Sequence, residues 1–140
     1  MTLNEITHKI LDIAKEERNI NYVGEGDIYS LNSTPNIDYS VFFVTHNNTQ
    51  VYQDYIQYSF VFFYVDRLIN EADDSNKLKI MSDGIQHIIN ICNKLNNDID
   101  MDIVYPLQFT SFRQRFSDDC AGQFCTVNII VDNNLGICEF

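Results

Sequence analysis

Tryptophan is absent from this 140-residue sequence, proline occurs twice, glycine five times and cysteine four times. So little proline and glycine excludes a collagen-like or low-complexity chain. The cysteines, Cys92, Cys120, Cys125 and Cys138, form no C-x-x-C pair, which removes the common zinc and thioredoxin-like readings. They are expected to be buried free thiols of a reducing compartment. Basic residues are scarce, nine against twenty acidic ones, for a net charge of −11. Such a surface repels phosphate, which argues against ordinary nucleic-acid binding and against an anionic membrane. The longest apolar run, Phe60–Val65, is far too short to span a bilayer. Glu5 and Lys9 interrupt any apolar stretch at the N-terminus, so no signal peptide is expected. No Walker A loop, H-E-x-x-H helix or G-x-S-x-G elbow occurs. Gly24-Glu25-Gly26 lacks the third glycine of a dinucleotide loop and reads as a turn.

What is present is apolar and aromatic. Ten Phe and eight Tyr stand among 45% hydrophobic residues, enough apolar surface to offset chain entropy and so to argue against disorder. The length suits one domain, residues 1–140, able to bury roughly two thirds of its unfolded surface. The negative charge is concentrated: residues 21–74 hold eight acidic residues and one basic residue.

The pattern of residues predicts helix, hairpin, helix, hairpin. Over 2–19, Leu3, Ile6, Ile10, Ile13 and Ala14 repeat at helical spacing, and Thr2 and Glu5 stand in capping-box positions. Gly24 and Gly26 end that pattern, and Pro35 makes 27–37 a loop or edge segment. Strands are expected over about 38–45 and 55–68, with Asn47 and Asn48 in a turn and an extended hairpin tip near 46–54. Along the second strand, Tyr58, Phe60, Phe62 and Tyr64 share one face and Val61, Phe63 and Val65 the other; two apolar faces mean that both are covered. A helix over 75–97 has a seam of Met81, Ile85, Ile88, Cys92 and Leu95, and Gly84 suits a close crossing over the sheet. Strands are expected over 105–116 and 122–131, the latter with Cys125, Val127, Ile129 and Val131 on its core face. Asp118 and Asp119 fall in the connecting loop, and a short edge strand is expected over 137–140. The fold class is α+β, an antiparallel sheet built from hairpins with two helices packed on one face.

No catalytic, cofactor-binding or metal-binding residue is expected. His8 and His87 sit beside apolar helical positions, and His46 lies at the hairpin tip. Asp73-Asp74 precedes a helix start, where negative charge is favourable, and Asp118-Asp119 reads as a solvated pair. Arg113 and Arg115 share one strand face, which suits either an ion pair with the acidic hairpin region of a neighbouring subunit or a plain solvated face.

The segment Ser111-Phe-Arg-Gln-Arg-Phe-Ser-Asp-Asp-Cys-Ala-Gly-Gln-Phe-Cys-Thr-Val-Asn-Ile-Ile-Val131 resembles neck ring and tail-completion proteins of tailed bacteriophages, including the crAss-like phages of Bacteroidetes. The stretch Asp66-Arg-Leu-Ile-Asn-Glu-Ala-Asp-Asp and the helix containing Gly84-Ile85 are similar to the same group, and the resemblance covers about 38–131. The element order also resembles the tail-terminator fold. The resemblance implies a structural virion protein, made in the bacterial host cytoplasm and assembled in the neck or tail. It implies a ring of twelve subunits, or six for a tail terminator, contacting adjacent portal, ring or tail proteins. Double-stranded DNA would pass through the lumen without specific binding, kept from sticking by the acidic surface, and no membrane is involved. Interface residues expected on this reading are His46, Asn47, Asn48, Tyr55, Phe63, Arg113, Arg115, Asp118 and Asp119.

Two other readings come from different classes. The net charge would suit an acidic DNA mimic acting on a host-defence protein, but the acids cluster in loops and turns. A duplex presents a charge roughly every 1.7 Å. A small enzyme using Asp118, Asp119 and His46 or His87 rests on residue types alone.

Overall fold

The computed structural model describes residues 2–27, 39–68, 74–115 and 119–133. The expected edge strand over 137–140, Pro35 and its neighbours, Asp73, Asp118 and Cys138 lie outside these residues. The elements are α1 (Leu3–Lys15), β1 (Tyr22–Glu25), β2 (Val41–Val51), β3 (Tyr55–Arg67), α2 (Asp74–Asn96), β4 (Asp102–Ile103), β5 (Phe109–Arg115) and β6 (Asp119–Asp132). They form an α+β structure around one mixed sheet ordered β1-β2-β3-β6, with β4 and β5 lying end to end along the outer side of β6.

Both helices pack on one face of this sheet. α1 begins as its sequence predicts: Thr2 Oγ1 accepts from the Glu5 backbone N–H at 3.2 Å, and the Thr2 hydroxyl donates to Glu5 Oε1. Its stripe of Ile6, Ile10 and Ala14 is fully buried, with Leu3 and Ile13 partly so. α2 buries Ile80, Gly84, Ile88, Ile91, Cys92 and Leu95. This corrects the expected seam, because Met81 and Ile85 lie at its flank. A helix over a twisted sheet needs its smallest residue at the closest approach, and that residue is Gly84. A Cβ there would stand 2.8 Å from Tyr64 Cδ1 and 3.3 Å from Gln123 Cγ. The layer between helices and sheet holds Phe42, Val44, Tyr58, Phe60, Phe62 and Tyr64 from β2 and β3, with Cys125, Val127, Ile129 and Val131 from β6.

The opposite face has its own cluster. Val41, Phe43, Val65 and Cys120 are buried there, with Tyr22, Tyr39, Phe63 and Phe112 packed against them. None of these belongs to a helix. Phe63, Phe112 and Phe124 form a mutually contacting trio with centroids 5.9–6.3 Å apart.

Several expectations are corrected. The sheet is not purely antiparallel, since β1 runs parallel to β2 from Tyr22↔Val41 to Glu25↔Val44. Gly24 lies inside that strand and not in a turn; the Phe43 ring lies only 2.8 Å from where its Cβ would stand. Gly26, at φ 114°, is where the chain turns away, a conformation that favours glycine. Asn47 and Asn48 form no turn. β2 runs on to Val51 with a bulge between His46 and Asn48, and the hairpin reverses at 52–54. The longer β3 supplies partners for the whole extension, and the bulge takes up the one extra residue, Asn47. The strand expected over 105–116 is interrupted, with β5 starting only at Phe109, beyond Pro106. Asp119 is the first residue of β6, opposite Arg115, and not a loop residue.

Candidate functional site

The expected interface residues fall in two groups. His46, Asn47, Asn48 and Tyr55 belong to the β2–β3 hairpin. His46 is exposed, packs edge-on to Phe60 at 5.5 Å, and its Nε2 lies 2.9 Å from Thr49 Oγ1. Asn47 is the bulge residue without a cross-strand partner, and Asn48 pairs with Ser59. Tyr55 stacks on Tyr52 at 4.5 Å. The turn is held by Asn133, just beyond β6: its backbone N–H donates to Asp54 O at 3.1 Å and its Nδ2 to Tyr52 O at 2.8 Å. Val51 and Tyr52 are thus exposed on a tip whose backbone is tied down at three carbonyls.

The second group lies at the other side of the sheet. Phe63 sits on the helix-free face. β5 alternates, so Phe112 joins that face while Phe109, Ser111 and Arg113 share the helix side. Gln123 Nε2 donates to Ser111 Oγ at 2.8 Å. Arg113, Ala121 and Asp66 stand in one cross-strand row, and Arg115 pairs in register with Asp119. The two groups do not converge on one spot. They mark opposite ends of a single sheet.

Between α2 and the sheet lies a feature that the sequence did not reveal, a polar cleft of about 540 Å³ whose lining includes Ser40, Tyr64, Asp66, Lys79, Asp83 and His87. Tyr64 and Asp66 share the core face of β3, and Asp83 and His87 share one face of α2 at a spacing of four; that pair of spacings was the available signal. The His87 ring stacks on Tyr64 at 5.3 Å. Its Nδ1 is buried 3.9 Å from Glu17 Oε2, too far for a hydrogen bond. Burial first, then the charges of Asp66 and Asp83, push the Tyr64 hydroxyl up to about 12 against the hydrogen bond with Ser40. The Ser40 hydroxyl itself donates to Asn19 O. Burial, with Asp83 adding to it, raises the Asp66 carboxyl above its usual value despite the bond from the Arg67 N–H.

The Asp66 shift fixes the sign of a pH effect. An acid whose pKa is raised on folding holds its proton more tightly in the folded chain. Stability therefore falls as pH rises from the unfolded value of 3.8 through the raised folded value. Asp66→Asn keeps the oxygen that accepts from Arg67 N–H and removes the charge. The expected outcome is a higher urea midpoint at pH 7, with the difference from wild type vanishing below pH 3.8. Equal midpoints at pH 7 would show that Lys79 and Arg67 already compensate the carboxylate.

Cys92 and Cys125 are free thiols, and both are buried, as is Cys120. Burial pushes Cys92 up to about 12 and Cys125 up to about 11, so both stay protonated at neutral pH and act as small apolar side chains. No group of three His, Cys, Asp or Glu among the described residues is arranged to hold a metal ion. No described helix is long and apolar enough to cross a membrane. No protein-family model and no curated protein matches the chain.

Proposed function

We propose that this protein is a structural subunit of a homo-oligomeric ring in the head-to-tail connector or tail of a tailed phage. Twelve copies are favoured and six are the alternative. The observation that carries this reading is the sheet face that no described helix covers, where Phe63, Phe112 and Phe124 are each partly exposed. A contiguous aromatic patch on a monomer is an aggregation liability, and burial against a copy in head-to-tail contact closes a ring and removes it. The net charge of −11 suits a channel that lets DNA slide past without sticking. Portal, ring and tail proteins are the expected neighbours in the virion, and the protein has no catalytic role there.

Native mass spectrometry of the purified protein tests the reading, together with detection of the chain in virions. The expected result is one closed stoichiometry and a constant copy number per particle. A strictly monomeric protein that never enters virions would sink it. Charge is expected to fix the register of the ring. Arg113→Glu combined with Arg115→Glu should leave a folded subunit, by circular dichroism, and block ring assembly. Wild-type occupancy of the double variant in virions would remove these arginines from the interface.

A further inference from the structure

The two edges of the sheet differ in how they end. β1 covers only Val41–Val44 of β2. Its last ladder contacts are Gly26 N–H to Val44 O at 3.0 Å and Thr45 Oγ1 to Gly26 O at 2.5 Å, after which Gly26 turns away. Among the described residues, no strand pairs with the outer side of β2 from His46 to Val51. Beside the start of this stretch a groove of about 280 Å³ continues the line of β1, lined by Leu3, Thr7, His8 and Leu11 of α1 and by Glu25 and His46. The opposite edge of the sheet is β5, and no described strand pairs with its outer side either.

The direction of the backbone groups follows from the bonds already made. Ser40 O and Val44 O accept from the β1 side, so alternate residues of β2 face that edge. The bulge at Asn47 resets the alternation, and Tyr52 N–H donates inward to Tyr55 O at 2.8 Å. Thr49 and Val51 therefore turn their N–H groups outward. On the other edge, Val104 N–H donates to Asn128 O, so the even residues of β6 face β4 and β5. Their partners Thr110 and Phe112 face β6, which leaves the N–H groups of Phe109 and Ser111 pointing outward.

We infer that β5 of a second copy adds to the open edge of β2, in line with β1 and against α1, joining the sheets of adjacent subunits. This deepens the ring reading and rests on it. Unpaired strand edges template pairing with another chain. Within this chain β4 and β5 already share one edge of β6 end to end, the same arrangement that β1 and an incoming β5 would have along β2. The chemistry is complementary. On the helix side of β5, Phe109 would meet Leu3 and Leu11, and Arg113 would meet Glu25 in a region with eight acidic residues and one basic residue. The two edges lie on opposite sides of one sheet, so their pairing is heterologous and propagates until a ring closes.

The test uses proline at outward-facing positions, where it removes an edge donor and leaves the internal ladder intact. Val51→Pro and Ser111→Pro should each remain folded by circular dichroism and each raise the concentration for assembly at least tenfold by sedimentation velocity. The controls Val51→Ala and Ser111→Ala lose the same side chains but keep the N–H, and they should assemble as wild type. Each proline variant retains the edge that the other lacks. Mixed together, the two should form a one-to-one heterodimer by native mass spectrometry, which neither forms alone. A wild-type ring with both proline variants assembling normally would overturn the edge pairing and leave the ring reading standing. A monomeric wild type would overturn both. A proline variant that loses assembly while its alanine control loses it equally would also overturn the pairing, since the side chain and not the edge would then be responsible.

Discussion

Gly122→Ala is expected to destabilise the fold by about 3 kcal/mol or more, read as a drop in urea midpoint or as failure to accumulate folded protein. Gly122 pairs with Val65 near one end of the longest ladder, β3 with β6, two pairs before Arg67 and Cys120. A Cβ at this position would collide with the backbone carbonyl of Tyr64 and come within 3.2 Å of the Phe112 ring. Neither obstacle is the free end of a flexible chain. A backbone carbonyl gives way only by parting the two central strands, and Phe112 is held against Phe63 and Phe124. Gly84→Ala supplies the contrast. There the nearest atom is the edge of the Tyr64 ring, and alanine gains about 1 kcal/mol of helix propensity over glycine, so a much smaller loss is expected. Equal midpoints for the Gly122 variant and wild type would mean that the strands are not as close as described.

Adjacent phenylalanines on β3 should behave differently. Phe62 is wholly buried between the sheet and the helices, edge-on to Phe42 at 5.3 Å. Phe62→Ala is expected to cost about 3–5 kcal/mol, the transfer of the ring plus the cavity left behind. Phe63 points the other way and is partly exposed on the helix-free face. Phe63→Ala should cost the isolated subunit clearly less, while weakening self-association, because on the ring reading its remaining surface is covered by a neighbour. The two variants together separate folding from assembly. If Phe63→Ala cost the monomer as much as Phe62→Ala and left assembly untouched, the helix-free face would be a second core and not an interface.

The elements that stand where the sequence placed them are those with strong local periodicity. The stripe of α1 and the core face of β6 repeat often enough to fix which face is buried, β3 reads as apolar on both faces, and Thr2 with Glu5 marks a helix start through contacts three residues apart. Gly84 was legible for the same reason, as the one small residue in an otherwise regular apolar helix. What shifted was set by partners distant in the chain. Asn47 and Asn48 carry the chemistry of a turn, but the length of β3 decided that β2 continues past them with a bulge. Gly24 has the look of a breaker, and it becomes part of a strand because the Phe43 ring, nineteen positions on, occupies the space above it.

In the sequence the cleft left only a weak signal. Tyr64 and Asp66 on a strand and Asp83 and His87 on a helix are ordinary amphipathic spacings, and only the crossing of α2 over β3 at Gly84 turns them toward one another. The same holds for the two open edges. By itself the sequence determined an acidic α+β chain, the burial of one face of each element, and the two apolar faces of β3, because charge and periodicity are summed along the chain. The parallel pairing of β1, the placing of both helices on one face, and the outer sides of β2 beyond Val44 and of β5, which no described strand pairs, were decided only in the tertiary structure. Strand order and register depend on contacts between segments tens of residues apart, and no local pattern encodes which of several equally apolar strands will be the neighbour.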